Sequence, residues 1–334
     1  MTHYTMPPEW APHDCTWIAW PCATLTYGDT LDQARREHED VARAIARFEP
    51  VSMLFDPENC EGVERLRGVE NVTLIECPLN DSWLRDSGPT FVLGEDGSLG
   101  AVDWEFDGWG SDWPHDKDNQ TAARISAMTG ATHIKSDLIF EGGAMNIDDK
   151  GTMVMTRQCF EHRTRRGGPE RAAFEQELFD KLGQSKMIWL NRTLENDSTN
   201  GHVDVVAAFV PDGVLCQVSA DPEDSDYQNL LDNRAILERA TDSQGDPLTV
   251  YQVTAPPVDR MADGTRRFLS YINFYLVNGG VIVPQYGFPD HDREACNMLA
   301  KLFPDREVVG VMTNTIADGG GNIHCITQQQ PATH

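Results

Sequence analysis

One thiol near the end of the chain is the first candidate for chemistry. Cys325 lies in residues 319–330, GGGNIHCITQQQ, where three consecutive glycines permit a tight turn and a close approach of the backbone to a ligand. A thiol in such a setting is a candidate nucleophile. A free cysteine also packs as a small buried apolar residue, so both interpretations are open on this segment alone.

Upstream, acidic residues and a histidine stand in short polar clusters. Asp86 lies in WLRDSGP, Glu141 in EGG, and His202 and Asp204 in GHVD. His202 and Asp204 are two residues apart, so on a strand their side chains would face the same side. Each of these residues, taken singly, also fits an ordinary structural role. A metal site is not expected, because one histidine and one thiol would need two further nitrogen or sulfur ligands.

The composition restricts the class of partner. The 334 residues include 27 basic and 53 acidic side chains, a formal net charge of -26, which argues against nucleic acid and anionic membranes and favours a small cationic ligand. Solubility or a saline habitat would explain the same acidity. The first residues do not resemble a secretory signal, no run of 18 apolar residues is present, and the eight cysteines form no CxxC pair. We therefore expect a cytoplasmic protein with reduced thiols.

The elements that must position these residues repeat along the chain. Each unit consists of a hairpin with a Gly, Asn or Asp turn, then a helix and a strand. For each unit the ranges give, in order, the two hairpin strands, the helix and the third strand. The first unit is predicted at 89–93, 99–106, 119–129 and 132–134, and the second at 144–147, 152–155, 169–182 and 186–190. The third is predicted at 203–210, 214–218, 227–240 and 248–253, and the fourth at 267–277, 281–286, 290–303 and 307–312.

A fifth unit is divided between the two ends of the chain. Strand 323–327 would pair with 16–20, followed by helix 31–48 and strand 51–55, while 59–78 would add a further helix and strand. The pattern predicts an α/β fold, a five-bladed pseudo-symmetric propeller of hairpin-helix-strand units. We expect one catalytic domain, 1–334, closed by the N- and C-terminal strands. The polar clusters precede equivalent strands, so they should share one pocket near the axis.

Several segments together resemble a known family. NDSWLRDSGPTF, VDWEFDGWG, EGG, GHVD, NFYLVNGGVIVPQYG and GGGNIHCITQQQP are similar to segments of the agmatine deiminases, in the bacterial peptidylarginine deiminase family of the pentein superfamily. The resemblance extends from MPPEWAPH onward over nearly the whole chain. It implies the same five-bladed propeller. It also implies hydrolysis of agmatine to N-carbamoylputrescine and ammonia, a step of putrescine biosynthesis, without a cofactor or a metal.

The resemblance also implies residue roles. Cys325 matches the nucleophile and His202 the general acid and base, with Glu141 orienting the histidine. Asp86 and Asp204 match two guanidinium-binding carboxylates. The set is completed by two further substrate contacts, Trp83 as an aromatic beside the guanidinium and Asp197 as an acidic residue before GHVD.

The mechanism expected from these roles is nucleophilic. Two carboxylates can hold a planar guanidinium in front of sulfur, and the attack would leave a covalent thiouronium on Cys325. Either a charged His202 or the arriving substrate cation could favour the thiolate. A homodimer is left open.

Residues 159–168, CFEHRTRRGG, depart from the family pattern, where a sequence similar to LLNPNRNP is usual. Arg163, Arg165 and Arg166 could bind a substrate carboxylate, which would favour free or peptide-terminal arginine; we expect instead a solvated turn and agmatine as the substrate. An amidinotransferase, a non-catalytic guanidine-binding propeller and a papain-like protease would use some of the same residues. The protease is disfavoured, because its nucleophile would lie at a helix N-terminus early in the chain.

Overall fold

The computed structural model describes residues 3–333. In these residues the strands are β1 (Tyr4–Thr5), β2 (His13–Ala19), β3 (Val51–Phe55), β4 (Val72–Glu76), β5 (Thr90–Gly94), β6 (Leu99–Glu105), β7 (Thr132–Ile139), β8 (Met145–Ile147), β9 (Thr152–Thr156), β10 (Lys186–Leu190), β11 (Ala207–Val210), β12 (Gly213–Val218), β13 (Val250–Thr254), β14 (Tyr275–Val277), β15 (Gly280–Gln285), β16 (Glu307–Met312) and β17 (Thr327–Pro331).

The helices are α1 (Thr24–Tyr27), α2 (Leu31–Ala46), α3 (Leu84–Ser87), α4 (Gly108–Ser111), α5 (Thr121–Thr129), α6 (Arg157–Arg165), α7 (Arg171–Leu182), α8 (Tyr227–Arg239), α9 (Pro289–Leu302), α10 (Asn314–Asp318) and α11 (Ile323–Ile326). Turns of 3-10 helix are Gly28–Thr30, Val63–Leu66, Asp118–Gln120, Gly142–Ala144 and Val203–Val205. In residues 3–333 we find no helix with the length and apolar character needed to cross a membrane.

The strands form five small sheets that share one plan. An antiparallel hairpin is followed by a helix and then by a third strand parallel to the hairpin's second strand, as in β14–β15–β16 around α9. In that hairpin Val277 pairs with Gly280, and Gly279 takes the positive φ of 77° that a two-residue turn demands. The predicted repeat of hairpin, helix and strand is thus confirmed.

The fifth sheet joins the two ends of the chain. β17 pairs antiparallel with β2, and β3 and β4 extend the sheet in the order β17-β2-β3-β4. The sheet of β5–β7 gains an additional edge strand, β1, that the sequence did not predict.

Apolar side chains fill each interface between neighbouring sheets. One core cluster packs Trp17 and Leu54 of the fifth sheet against Phe91 of the first, and another packs Ile18 of the fifth against Ile282 of the fourth. Three further clusters join first to second, second to third, and third to fourth. Every sheet therefore has two neighbours, which is the closed five-bladed propeller that the repeat predicted.

Three predicted boundaries are wrong in an informative way. β14 begins at Tyr275 rather than 267, and β11 begins at Ala207 rather than 203. Residues 323–326 form the one-turn helix α11 instead of a strand. The fold places short helical turns before four of the hairpins, namely α3, Gly142–Ala144, Val203–Val205 and α11. These turns direct polar side chains toward the middle of the ring.

Candidate active site

Cys325 lies on α11, one turn before β17 closes the ring. The side chain of Asn322 caps this turn by accepting from the backbone N–H of Ile323. Asn273, which precedes β14, donates from Nδ2 to Cys325 Sγ at 3.2 Å and accepts from the Cys325 backbone N–H at 3.3 Å. Cys325 Sγ also lies 3.4 Å from Asp204 Oδ2. The buried thiol is thus held by an amide and a carboxylate.

The three glycines before this turn serve close packing more than unusual backbone angles. Of the three, only Gly320 has a positive φ, 103°. A Cβ on Gly321 would lie 2.5 Å from the ring of Trp83 and 3.0 Å from Cys325 Cβ. A side chain at Gly321 would therefore separate the indole from the thiol.

Asp86, His202 and Asp204 converge on a single point, the α-carbon of Gly143. A Cβ at Gly143 would lie 2.6 Å from His202 Nδ1, 3.0 Å from Asp86 Oδ1 and 3.1 Å from Asp204 Oδ2. The predicted convergence is present, but the expectation that His202 and Asp204 lie on a strand was wrong. His202 and Asp204 lie at a 3-10 turn, Val203–Val205, and not on a strand.

His202 is surrounded by carboxylates that it does not quite touch. Its Nδ1 lies 3.7 Å from Asp86 Oδ2 and its Nε2 lies 3.7 Å from Glu141 Oε2. Neither ring nitrogen has a hydrogen-bond partner among residues 3–333. Glu141 is anchored from behind by Arg163 of α6, whose Nη2 donates to Glu141 Oε2.

Asp204 belongs to a second, more tightly bonded group. His324 Nδ1 lies 2.9 Å from Asp204 Oδ2, and His324 Nε2 lies 2.9 Å from Glu9 Oε1. Asn146 Nδ2 also donates to Glu9 Oε1, at 3.2 Å. The N-terminal segment thus reaches the residue beside the thiol.

Burial and charge oppose each other at the carboxylates and the histidine. Burial would lower the pKa of His202, but Asp86 and Glu141 outweigh it and raise that pKa to about 9. Burial would raise the pKa of Glu141, but the Arg163 guanidinium outweighs it and lowers that pKa to about 2. For Asp204, hydrogen bonding and charge from His324 outweigh burial, and the pKa is lowered.

The pKa values of the Cys325 thiol and of Asp86 are both raised. Burial, together with the Asp204 and Asp86 carboxylates, raises the pKa of Cys325 well above its usual range. Burial also raises the pKa of Asp86. The ligand-free site therefore combines a protonated thiol with a charged imidazolium.

A narrow cleft leads to these groups. Cys325 and Asp86 line it, and its other wall residues are neutral tryptophans, hydroxyl residues and glycines. The wall residues are Trp83, Trp109, Trp113, Thr26, Ser198, Thr199, Gly319 and Gly320. The indole N–H of Trp83 donates to Asp81 at 3.0 Å, which orients the ring. Trp83 thus lies where the sequence expected it.

Trp109 is a site residue that the sequence analysis missed. Its Nε1 donates to Asp86 Oδ2 at 2.9 Å, so it fixes one of the carboxylates of the cleft. Its backbone φ is 54° and that of Ser111 is 64°, a left-handed conformation that costs energy outside glycine. Arg166 supports the segment by donating to Asp107 and Ser111.

Asn273 also escaped the sequence analysis, and Arg163 was considered only as a possible partner of a substrate carboxylate, not as the partner of Glu141. Asn273 precedes the hairpin of the fourth unit, so its repeat position could have identified it. The pairing of Arg163 with Glu141 has no signal in the sequence. It depends on helix α6, which was not predicted.

Asp197 does not line the cleft, in contrast to its predicted contact with substrate. Its oxygens accept from the backbone N–H groups of Thr199 and Gly201, each at 2.8 Å, and from the Thr193 hydroxyl. The carboxylate is thus occupied by the turn that carries His202.

The arginine-rich segment is a helix that begins at Arg157, not a solvated turn. Arg163 is buried against Glu141, and Arg166 pairs with Asp107. Arg165 donates to the carbonyl of Glu161 and is exposed. None of the three lines the cleft.

The chain is similar to known proteins over nearly its whole length. The sequence profile of the Porphyromonas-type peptidyl-arginine deiminases matches residues 5–331. The chain belongs to this family. A Streptomyces coelicolor relative, named only provisionally as an agmatine deiminase, is 42% identical over 339 residues, covering 99% of each chain. An agmatine deiminase of Stutzerimonas stutzeri is 36% identical over 355 residues, covering 98% of this chain and 96% of the relative.

A solved structure has the same fold along almost its entire length. Agmatine deiminase of Enterococcus faecalis superimposes with a TM-score of 0.93 at 33% identity, covering 99% of this chain and 97% of that one. The family's pentein propeller, expected from the sequence, is therefore the fold of this chain. Within residues 3–333 no group of three or more His, Cys, Asp or Glu side chains is arranged to hold a metal ion.

Proposed function

We propose that this protein is an agmatine deiminase, which hydrolyses the guanidinium of agmatine to N-carbamoylputrescine and ammonia. The observation that carries the proposal is the position of Cys325 Sγ, 3.4 Å from Asp204 and in one cleft with Asp86, which lies 3.7 Å from the ring of His202. Close relatives that bear the name agmatine deiminase support the choice of substrate. The whole chain acts as one catalytic domain, because strands from both ends share a sheet.

The guanidinium enters the cleft and bonds to carboxylate oxygens. Asp204 Oδ1 is buried and has no partner among residues 3–333, and Glu141 Oε1 is in the same condition. A planar guanidinium presents donors in a fork that matches such acceptors. Asp86 and Asp204 thereby hold the guanidinium carbon before Cys325 Sγ, with Trp83 packed alongside.

Substrate charge activates the nucleophile. The carboxylates nearest to Cys325 disfavour a second negative charge, so the ligand-free thiol keeps its proton. An arriving cation between Asp86 and Asp204 reverses this balance, and the thiol gives up its proton to solvent water as the positive charge enters. Of the two activators that the sequence left open, the geometry favours the substrate, because His202 has carboxylates as its nearest charged neighbours.

His202 acts first as an acid and then as a base. Thiolate attack forms a C–S bond and a tetrahedral centre, and imidazolium His202 protonates the leaving nitrogen as the C–N bond breaks to release ammonia. The neutral imidazole then takes a proton from water, whose oxygen attacks the thiouronium carbon. The hydroxyl proton of the new tetrahedral centre passes to solvent water as the C–S bond breaks, N-carbamoylputrescine leaves, and the thiolate returns beside an imidazolium His202.

The cleft walls favour agmatine over arginine. An α-carboxylate needs a cation or several N–H donors, whereas the cleft residues beyond Asp86 and Cys325 are tryptophans, hydroxyls and glycines. Indole faces suit an alkyl chain that ends in an ammonium group. Arg163, the one buried arginine of α6, is paired with Glu141.

The decisive experiment measures ammonia and ureido product from agmatine, free arginine, 4-guanidinobutyrate and a peptide ending in arginine. We expect the highest kcat/KM for agmatine, and a preference unchanged within about threefold in Arg165→Ala. A higher kcat/KM for a carboxylate-bearing substrate would refute the assignment. Cys325→Ala should abolish turnover while agmatine binding by calorimetry persists; turnover near the parent level would remove Cys325 from the mechanism.

A further inference from the structure

His324 is the second buried histidine of the site, and the reaction steps above do not use it. Both of its ring nitrogens lie 2.9 Å from carboxylate oxygens, Nδ1 from Asp204 and Nε2 from Glu9. An ionised carboxylate only accepts hydrogen bonds, so a ring that faces one at each nitrogen has to donate twice. A histidine that donates from both nitrogens is an imidazolium. The geometry therefore makes His324 a fixed positive charge.

The groups around His324 define the balance of charge. Asp204 and Glu9 face its ring, and Arg85 approaches from α3, donating from Nε to the His324 carbonyl at 3.2 Å. Arg85 Nη1 also lies 4.0 Å from Glu9 Oε1. Burial and Arg85 would lower the pKa of His324, but Glu9 and Asp204 outweigh them and raise it.

The two oxygens of Asp204 are used differently. Oδ2 accepts from His324 and faces Cys325 Sγ, whereas buried Oδ1 has no partner among residues 3–333. A carboxylate fixed at one oxygen cannot rotate freely, so the other stays available for a ligand. The positive charge of His324 also offsets part of the repulsion between Asp204 and a thiolate.

We propose that His324 and Glu9 form a positioning pair that fixes the Asp204 carboxylate and screens its charge from Cys325. Neither Glu9 nor His324 lines the cleft, and both ring nitrogens of His324 are bonded to carboxylates, so the pair acts through Asp204. Its effect on turnover rests on the proposed function, whereas its effect on the thiol can be measured without a substrate. Glu9 thus gives the N-terminal segment a part in the active site.

The experiment uses His324→Asn, which removes the charge, and Glu9→Gln, which keeps the shape of the side chain. In both variants we expect kcat/KM for agmatine to fall about 10- to 100-fold, the usual consequence of losing a charged hydrogen bond. Glu9→Gln leaves His324 with one carboxylate fewer, so the imidazolium should lose its proton at lower pH. Its deficit should therefore be larger at pH 8 than at pH 6.

The thiol readout is the pH dependence of Cys325 alkylation by iodoacetamide, followed by mass spectrometry of its peptide. We expect a midpoint at higher pH in His324→Asn, because the Asp204 charge is less screened. Adding Glu9→Gln to His324→Asn should cause no further loss of kcat/KM, since both act through one contact. Additive losses would overturn the proposal.

His13→Gln is the matched control. His13 is also a buried histidine and lies in the same N-terminal segment as Glu9. It is bonded to Glu49 and to the Glu9 carbonyl, but it does not contact Asp204. We expect its kcat/KM to stay within about threefold of the parent. An equal loss in His13→Gln, or no change in kcat/KM and alkylation in His324→Asn, would refute the pair. A parent protein inert toward agmatine would refute the proposed function alone, because alkylation still tests the pair.

Discussion

His202 and His324 are both buried imidazoles between carboxylates, but their surroundings differ in one respect. The ring of His202 lies 3.7 Å from Asp86 and from Glu141, and neither ring nitrogen has a hydrogen bond among residues 3–333. His324 is bonded at both nitrogens at 2.9 Å. The charges around both rings favour the imidazolium, but only His202 has ring N–H groups free for a new partner. Hydrogen bonding, more than charge, separates a ring that transfers protons from one that supports a neighbour.

The largest effect is expected from removing the ring of His202, whose nitrogens have no hydrogen-bond partner among residues 3–333. In the proposed mechanism His202 protonates the leaving nitrogen and then activates water. In His202→Asn kcat should therefore fall about a thousandfold, within the range for general acid–base catalysis. The same change at His324 should cost at least tenfold less. Steady-state ammonia release from both variants makes the comparison; equal losses would erase the distinction between the two rings.

Arg163→Met tests the support behind His202. It leaves Glu141 buried without its cation, so the free energy of unfolding should fall by about 3 kcal/mol. The double variant Arg163→Met with Glu141→Gln removes the uncompensated charge and should regain most of that loss. Urea unfolding of the two proteins provides the measurement. If the double variant is less stable than Arg163→Met, the ion pair is not what Arg163 contributes.

The two carboxylates proposed to bind the guanidinium differ in their hydrogen-bond partners. Asp86 is bonded to Trp109 and to the backbone of Gly143, whereas Asp204 is bonded to His324. Replacing either by Asn weakens the guanidinium clamp, and kcat/KM should fall at least about thirtyfold. Initial rates at low agmatine concentration measure this. A loss below threefold would place that carboxylate outside the clamp.

The smallest effect concerns stability against pH. The native pKa of His202 is about 9, above its ordinary value of 6.5. A raised pKa contributes stability that is complete below pH 6.5 and is lost as pH rises through 9. The unfolding free energy of the parent should thus decline over this window more steeply than that of His202→Asn. His324 titrates in both proteins, so its contribution cancels in the comparison. Parallel curves would contradict a charged His202.

Much of the fold could be predicted from the sequence because its signals are local. Turns with Gly, Asn or Asp, strands rich in Val and Ile, and a helix recur in each unit. In the fourth unit the Asn278-Gly279 turn by itself indicates the register of the hairpin. The predicted site residues converge for the same reason, since equivalent positions in four of the five units meet at the axis.

The features that were missed depend on tertiary contacts. Residues 323–326 are apolar enough for a strand, but the Asn322 cap and the Asn273 contacts hold them in a helical turn. Asp197 has the charge expected of a substrate contact, but the backbone N–H groups of its own turn already occupy it. Neither outcome can be read from a local pattern, because each is decided by which partner lies within reach.

The contact between Glu9 and His324 joins residues 315 positions apart, and β2 meets β17 in the same sheet. During synthesis on a ribosome, Cys325 therefore emerges after the other residues of the site, when four of the five sheets can already have formed. Until β17 pairs with β2, the nascent chain holds Asp86, Glu141, His202 and Asp204 but no thiol between them. By the proposed mechanism such a chain lacks its nucleophile, and the reactive centre is assembled when the ring closes.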